Sequence, residues 1–125
     1  MESIIFVIKA VLKYIHSPDV PDLARFSPTE GDNFCILLQL MVSPLHIDGR
    51  ESFDLLLCTP QWLIANSKKS DLIIGRHYLI VFEYNYERIY NKLKDLVEKA
   101  EGDTWDDIGN KIGRIGRWEF EDYQA

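Results

Sequence analysis

The stretch that most restricts what this chain can fold into is Leu72 to Ala100, LIIGRHYLIVFEYNYERIYNKLKDLVEKA, where an apolar run gives way to an amphipathic helix. Tyr78, Leu79, Ile80, Val81 and Phe82 are β-branched, aromatic or leucine, with no Gly or Pro among them, which predicts a strand buried on most of both faces. The period then changes. Ile89, Leu93, Leu96, Val97 and Ala100 recur at i, i+4, i+7, i+8 and i+11, and Arg88, Lys92, Lys94, Asp95, Glu98 and Lys99 fall on the opposite side. Asn85 is a suitable N-cap, Glu87 sits in the first turn and Lys99 at the far end, the order that the helix dipole favours. A helix with one apolar stripe must cover a sheet, so the remaining chain has to supply that sheet.

Taken in order, the first run fits two periods. Ile4, Ile5, Ile8, Val11, Leu12 and Ile15 match a helical stripe, but the abundance of β-branched residues and the alternation of Lys9, Val11 and Lys13 favour a strand. SPDVPDLARFSPTEGD, Ser17 to Asp32, carries three prolines and predicts a loop with one short helical turn after Pro21. FCILLQLMV, Phe34 to Val42, is apolar apart from Gln39 and predicts a central strand covered on both faces. Pro44 and Asp48-Gly49 then turn the chain back as Phe53 to Cys58, an antiparallel hairpin. Thr59-Pro60-Gln61-Trp62 reads as an N-cap with proline at the first helical position, so a short helix should run to about Asn66 with Trp62 and Leu63 inward.

After the long helix, Gly102 ends the turn, and Thr104 with Asp107 makes a capping-box start with Asp in place of Glu. Trp105, Ile108, Ile112 and Ile115 form a narrow stripe interrupted by Gly109, Gly113 and Gly116. Since an interior glycine costs about 1 kcal/mol relative to alanine, either close backbone approach is needed there or the helix ends near Gly113. WEFEDY, Trp118 to Tyr123, alternates aromatic and acidic groups as an edge strand or docking segment does. The expected architecture is one α+β domain over residues 1–125, about four mainly antiparallel strands with helices packed on one face.

Charge narrows the partners. Lys and Arg number 14 against 20 Asp and Glu, net −6, and the excess lies late: Glu101 to Ala125 holds seven acids and three bases. Such a surface disfavours nucleic acid and anionic lipid and attracts a basic protein. Cys35 and Cys58 lie in apolar runs without CxxC spacing, so they are expected to be reduced, buried small hydrophobes. The apolar N-terminus is interrupted by Glu2, Lys9 and Lys13 and has no small-residue cleavage site, which argues against a secretory signal or membrane span and for a cytoplasmic protein.

DNFCILLQLMVSP (Asp32 to Pro44), ESFDLLLCTPQWL (Glu51 to Leu63), GRHYLIVFEYNY (Gly75 to Tyr86), RWEFEDY (Arg117 to Tyr123) and IHSPD (Ile15 to Asp19) together resemble the immunity protein 8 family, in order and over nearly the whole chain. The resemblance implies a small α+β protein that neutralises a toxin passed between competing bacteria, in a polymorphic-toxin or contact-dependent inhibition system. It brings no catalytic motif and no assigned toxin contact, so the site must be argued from chemistry. Charge complementarity points to a basic, nuclease-like toxin domain, blocked by occlusion. Asp103, Asp106, Asp107, Glu119, Glu121 and Asp122 are the expected carboxylates of the interface, with Trp118 and Tyr123 as aromatic anchors.

No cofactor or metal site is expected, and the protein should act as a monomer or weak dimer. A small hydrolase or ligand-binding enzyme using His16 or His77 is the alternative. His16, His46 and His77 lie in separate segments without HxxxH spacing, which favours histidines that are merely exposed or hydrogen-bonded. Gly75-Arg76-His77 precedes a strand, whereas a phosphate-cradling loop follows one and opens a helix, so Arg76 reads as structural. Lys111 to Arg117, KIGRIGR, is the one basic run, and its neighbouring acids predict internal ion pairing.

Overall fold

The computed structural model describes residues 7–121. Strands β1 (Ile8–His16), β2 (Cys35–Pro44), β3 (Glu51–Cys58), β4 (Tyr78–Ile80), β5 (Glu101–Gly102) and β6 (Arg117–Trp118) alternate with helices α1 (Pro60–Ala65), α2 (Tyr86–Glu98) and α3 (Trp105–Ile112). The sheet order is β4-β3-β2-β1-β5, and β6 pairs with β3 on the side that β4 occupies farther along. All pairings are antiparallel except β3 with β4. This is the expected α+β class. The strand count exceeds the expected four because β5 and β6, each two residues long, close the ends of the sheet.

The β2–β3 hairpin forms the centre of the sheet. Its register runs from Cys35 opposite Cys58 to Val42 opposite Glu51. Ile36, Leu38, Leu40 and Val42 alternate with Phe53, Leu55 and Leu57 on one buried face. Cys35, Leu37, Gln39 and Met41 lie on the other, half-buried. The apolar run of β2 had predicted cover on both faces, but helices pack on one only. The six-residue connection 45–50 is exposed, and Gly49 takes φ +93°, the left-handed backbone that the Asp-Gly pair announces.

Ile4 and Ile5 of the first run lie outside the described residues; from Ile8 onward its two periods are resolved by a β-bulge. Register with β2 shifts between Leu12 and Tyr14, so Lys13 is the extra residue. Ala10, Leu12 and then Ile15 face the core, a spacing that looks helical although the backbone is extended. The outer edge of β1 is short of strand partners beyond Lys9. Glu98, at the end of α2, covers part of it by accepting the Leu12 N–H at 3.3 Å.

Asn85 caps α2 through the Arg88 N–H, and Ile89, Leu93 and Val97 are buried against the sheet. These positions, with Ile108 and Ile112 of α3, complete the core over Leu38, Leu40, Phe53, Leu55 and Leu57. A one-turn 3-10 helix at Leu23–Arg25 follows Pro21 as expected, capped by Asp22. Phe26, Phe34 and Tyr84 meet edge to face beside it, and the Tyr84 hydroxyl donates to the Leu23 carbonyl. Burial, then the neighbouring Tyr86 and Asp22, push the Tyr84 phenol up to about 12.

Two further expectations about burial fail. Tyr78 to Phe82 is no doubly covered strand: only Tyr78–Ile80 pair, at the edge of the sheet, with Ile80 46% and Phe82 78% exposed. The composition of that run suited a strand, but no element lies outside β4 to bury it. Helix α1 starts at Pro60 with the Thr59 cap and ends at Ala65 as predicted. Trp62 and Leu63, however, are only half-buried and lie outside the core cluster, because six residues leave α1 on the rim.

Candidate functional site

The acidic end is organised by α3. Thr104 and Asp107 form the expected reciprocal capping box: the Asp107 N–H donates to Thr104 Oγ1 at 3.1 Å, and the Thr104 N–H to Asp107 Oδ2 at 3.3 Å. Asp103, Asp106 and Asp107 are thereby gathered, exposed, at the helix start, where the dipole favours negative charge. Ile108 and Ile112 anchor the opposite side in the core. The helix does end at Ile112, and close approach is also needed: a Cβ on Gly109 would stand 2.5 Å from Trp118 Cη2.

The segment after α3 is bound to β3. Arg117 and Trp118 pair with Asp54 and Phe53. The ladder continues through the Glu119 N–H to the Ser52 carbonyl at 3.1 Å, and the Ser52 N–H donates to Glu119 Oε1 at 2.8 Å. Trp118 is 8% exposed, stacked on Phe53 with ring centroids 6.0 Å apart. It belongs to the core, so it is not an exposed anchor. Glu121 forms an ion pair with Arg76, whose guanidinium also reaches the Gly113 carbonyl at 3.5 Å. Asp122 and Tyr123 lie outside the described residues.

The eight residues read from sequence as a site therefore divide. Asp103 and Asp106 stand exposed beside Asp107, which is half committed to the Thr104 N–H; Glu119 is half committed to β3, Glu121 is committed to Arg76, and Trp118 is buried. Between the helix start and the tail lies a cleft of ≈ 480 Å³ lined by Glu51, Trp105, Asp106, Asn110, Trp118 and Phe120. The Trp105 indole N–H donates to the Glu51 carboxylate. Phe120 belongs to the aromatic and acidic alternation of the WEFEDY segment, whereas nothing in the sequence pointed to Glu51. Glu51 is 54 residues from Trp105, and only the pairing of β6 with β3 brings the two sides together.

Among the described residues the basic run makes no ion pair. Lys111 Nζ donates to the Glu101 carbonyl, while Arg114 and Arg117 are exposed with no ion pair among the described residues. Arg76 is structural, as expected, and His77 works beside it. His77 Nε2 lies 2.6 Å from the Gly113 carbonyl, an acceptor only, so this nitrogen carries the proton. His16 lies exposed at the end of β1, two strands away from the β3–β4 edge that holds His77, and His46 is in the exposed hairpin connection. These histidines do not converge.

Cys58 is buried and Cys35 half-buried, both unpaired by a disulfide. They face each other across β2 and β3, a proximity hidden by 22 intervening residues. Burial, then Cys58 and Asp19, push the Cys35 thiol up to about 11. Among the described residues no group of three or more His, Cys, Asp or Glu could hold a metal ion, and no helix is long and apolar enough to cross a membrane.

A second surface differs in character. Leu72 is 98% exposed, and Ile64, Ile73, Ile74, Ile80 and Phe82 are exposed around the β4 edge. A groove of ≈ 460 Å³ runs between β4 and α2, walled by Leu79, Val81, Phe82 and Ile89. The exposed Ile80 and Phe82 on this groove make it a second candidate interaction surface.

No curated protein and no solved structure matches the chain. The family model described as immunity protein 8 matches residues 10–123, from the third residue of β1 through β6. With nearly the whole chain matched, it belongs to the immunity protein 8 family.

Proposed function

We propose that this immunity protein binds a toxin domain with a basic, nuclease-like substrate cleft and blocks it by occlusion, in the cytoplasm of the producing cell. Family membership makes it an immunity protein acting against a toxin. The observation that carries the finer reading is the exposed carboxylate group at the start of α3, Asp103, Asp106 and Asp107, on a chain of net charge −6. A cleft built to grip phosphate offers Arg and Lys, and carboxylates held in a fixed array can pair with them in place of substrate. Contact-dependent inhibition and related polymorphic-toxin systems are the setting in which such a pair operates. Occlusion requires no proton transfer by the inhibitor.

The test is protection of cells that express the toxin. His16→Asn, His46→Asn and His77→Asn combined should fold and protect like the parent. Asn suits the left-handed backbone at His46 and His77, φ 66° and 67°. Asp103→Asn with Asp106→Asn should fold and protect poorly. A folded histidine variant that binds toxin normally yet fails to protect would favour chemistry by His16 or His77 instead.

A further inference from the structure

We propose that the cleft between α3 and the tail receives an arginine side chain of the partner, its guanidinium held between the Glu51 and Asp106 carboxylates and the Trp105 and Phe120 rings. This rests on the toxin-binding reading and names one contact within it. The lining holds two carboxylates and no cation, beside three aromatic residues and the Asn110 amide. A positive side chain is the complement of that combination, through charge-assisted hydrogen bonds and attraction to the ring faces.

The site is held in shape before anything enters it. Glu51 uses Oε2 for the Trp105 indole, which leaves Oε1 able to accept from an incoming donor. Trp118 forms a fixed wall, stacked on Phe53 at an interplanar angle of 7° and pressed against Gly109. Phe120 meets it edge to face at 5.9 Å and is 39% exposed. Among the described residues the buried Trp118 Nε1–H has no hydrogen-bond partner. Guanidinium suits the cleft better than ammonium because it is planar, stacks on aromatic rings, is more weakly hydrated, and donates in a fork to two carboxylates.

The full chain, labelled with nitrogen-15, is titrated with Nα-acetyl-arginine amide, and in parallel with the acetyl amides of lysine and citrulline, the last an uncharged analogue of arginine. The Trp105 and Trp118 indole N–H signals should shift saturably with the arginine compound. Binding should be about tenfold weaker for lysine and for citrulline. Asp106→Asn, at an exposed position, should weaken the arginine response without lowering the melting temperature, and Phe120→Ala should weaken it further than its loss of the Trp118 contact lowers stability. Indole signals that do not move overturn the proposal, as does equal binding of citrulline or of lysine. Because no toxin is present, such a failure leaves the toxin-binding reading standing. An arginine response in a protein that gives no protection would overturn that reading and keep the cleft.

Discussion

The acidic end around α3 and the apolar edge around β4 both offer surface to a partner, but they are built in opposite ways. At the acidic end the exposed groups stand on a packed support: Ile108 and Ile112 beneath, Trp118 wedged between Phe53 and Gly109, and Glu119 and Glu121 tied to Ser52 and Arg76. At the β4 edge the support is thin. Three residues pair with β3, and Leu72, Ile73 and Ile74 project from a connection with no element over them. A fixed array of charge selects a partner and speeds encounter, while loosely held apolar side chains add contact area without fixing geometry. On this difference rests the proposal that the toxin is recognised by the first region.

The largest expected effect sets the scale beneath both regions. Leu93 is fully buried under the sheet, so Leu93→Ala should cost about 2–5 kcal/mol in a denaturant melt through lost burial and a cavity. A melt like the parent's would mean that α2 is not the common support. Next comes a pair of glycines that isolates the difference itself. Gly109→Ala forces a methyl into Trp118 and should cost about 1–3 kcal/mol with altered tryptophan fluorescence. Gly75→Ala, on the β4 side, meets nothing within 4 Å and should leave stability within about 0.5 kcal/mol of the parent. Equal losses would show that the two regions are packed alike.

The Cys35 thiol gives a smaller, pH-dependent effect. Its folded value is raised from 9.0 to about 11, so folding favours the protonated form. That contribution is fully present below pH 9 and is lost as pH rises toward 11. Stability should therefore fall over this window, and less so in Cys35→Ser; identical slopes would remove the thiol as the cause. Smallest of all, Leu72→Ser combined with Phe82→Ser should leave the melt within about 0.5 kcal/mol of the parent, since both side chains are largely in water already.

The parts of this molecule that were legible in the sequence are those governed by neighbours along the chain. The Thr59, Asn85 and Thr104 caps, the Asp-Gly connection of the hairpin and the stripe of α2 all follow from local spacing. What was hidden depends on residues far apart. Whether Ile80 and Phe82 are buried depends on an outer element that the fold does not have, and the fate of Trp118 depends on β6 finding β3. The candidate site divides in the same way. Asp103, Asp106 and Asp107 cluster because one helix start holds them, whereas Glu121 is removed by Arg76, 45 residues away, and Glu51 is added by tertiary pairing alone.

The most direct measurement is the association rate with the purified toxin at rising salt, for the parent, for Asp103→Asn with Asp106→Asn, and for Leu72→Ser with Phe82→Ser. Recognition by the acidic end requires the parent rate to fall steeply with salt, the Asp variant to be slower and nearly salt-independent, and the apolar-edge variant to keep the parent's rate and slope. A parent rate indifferent to salt, with the Asp variant unchanged and the Leu72 and Phe82 variant impaired, would contradict the account and transfer recognition to the β4 edge.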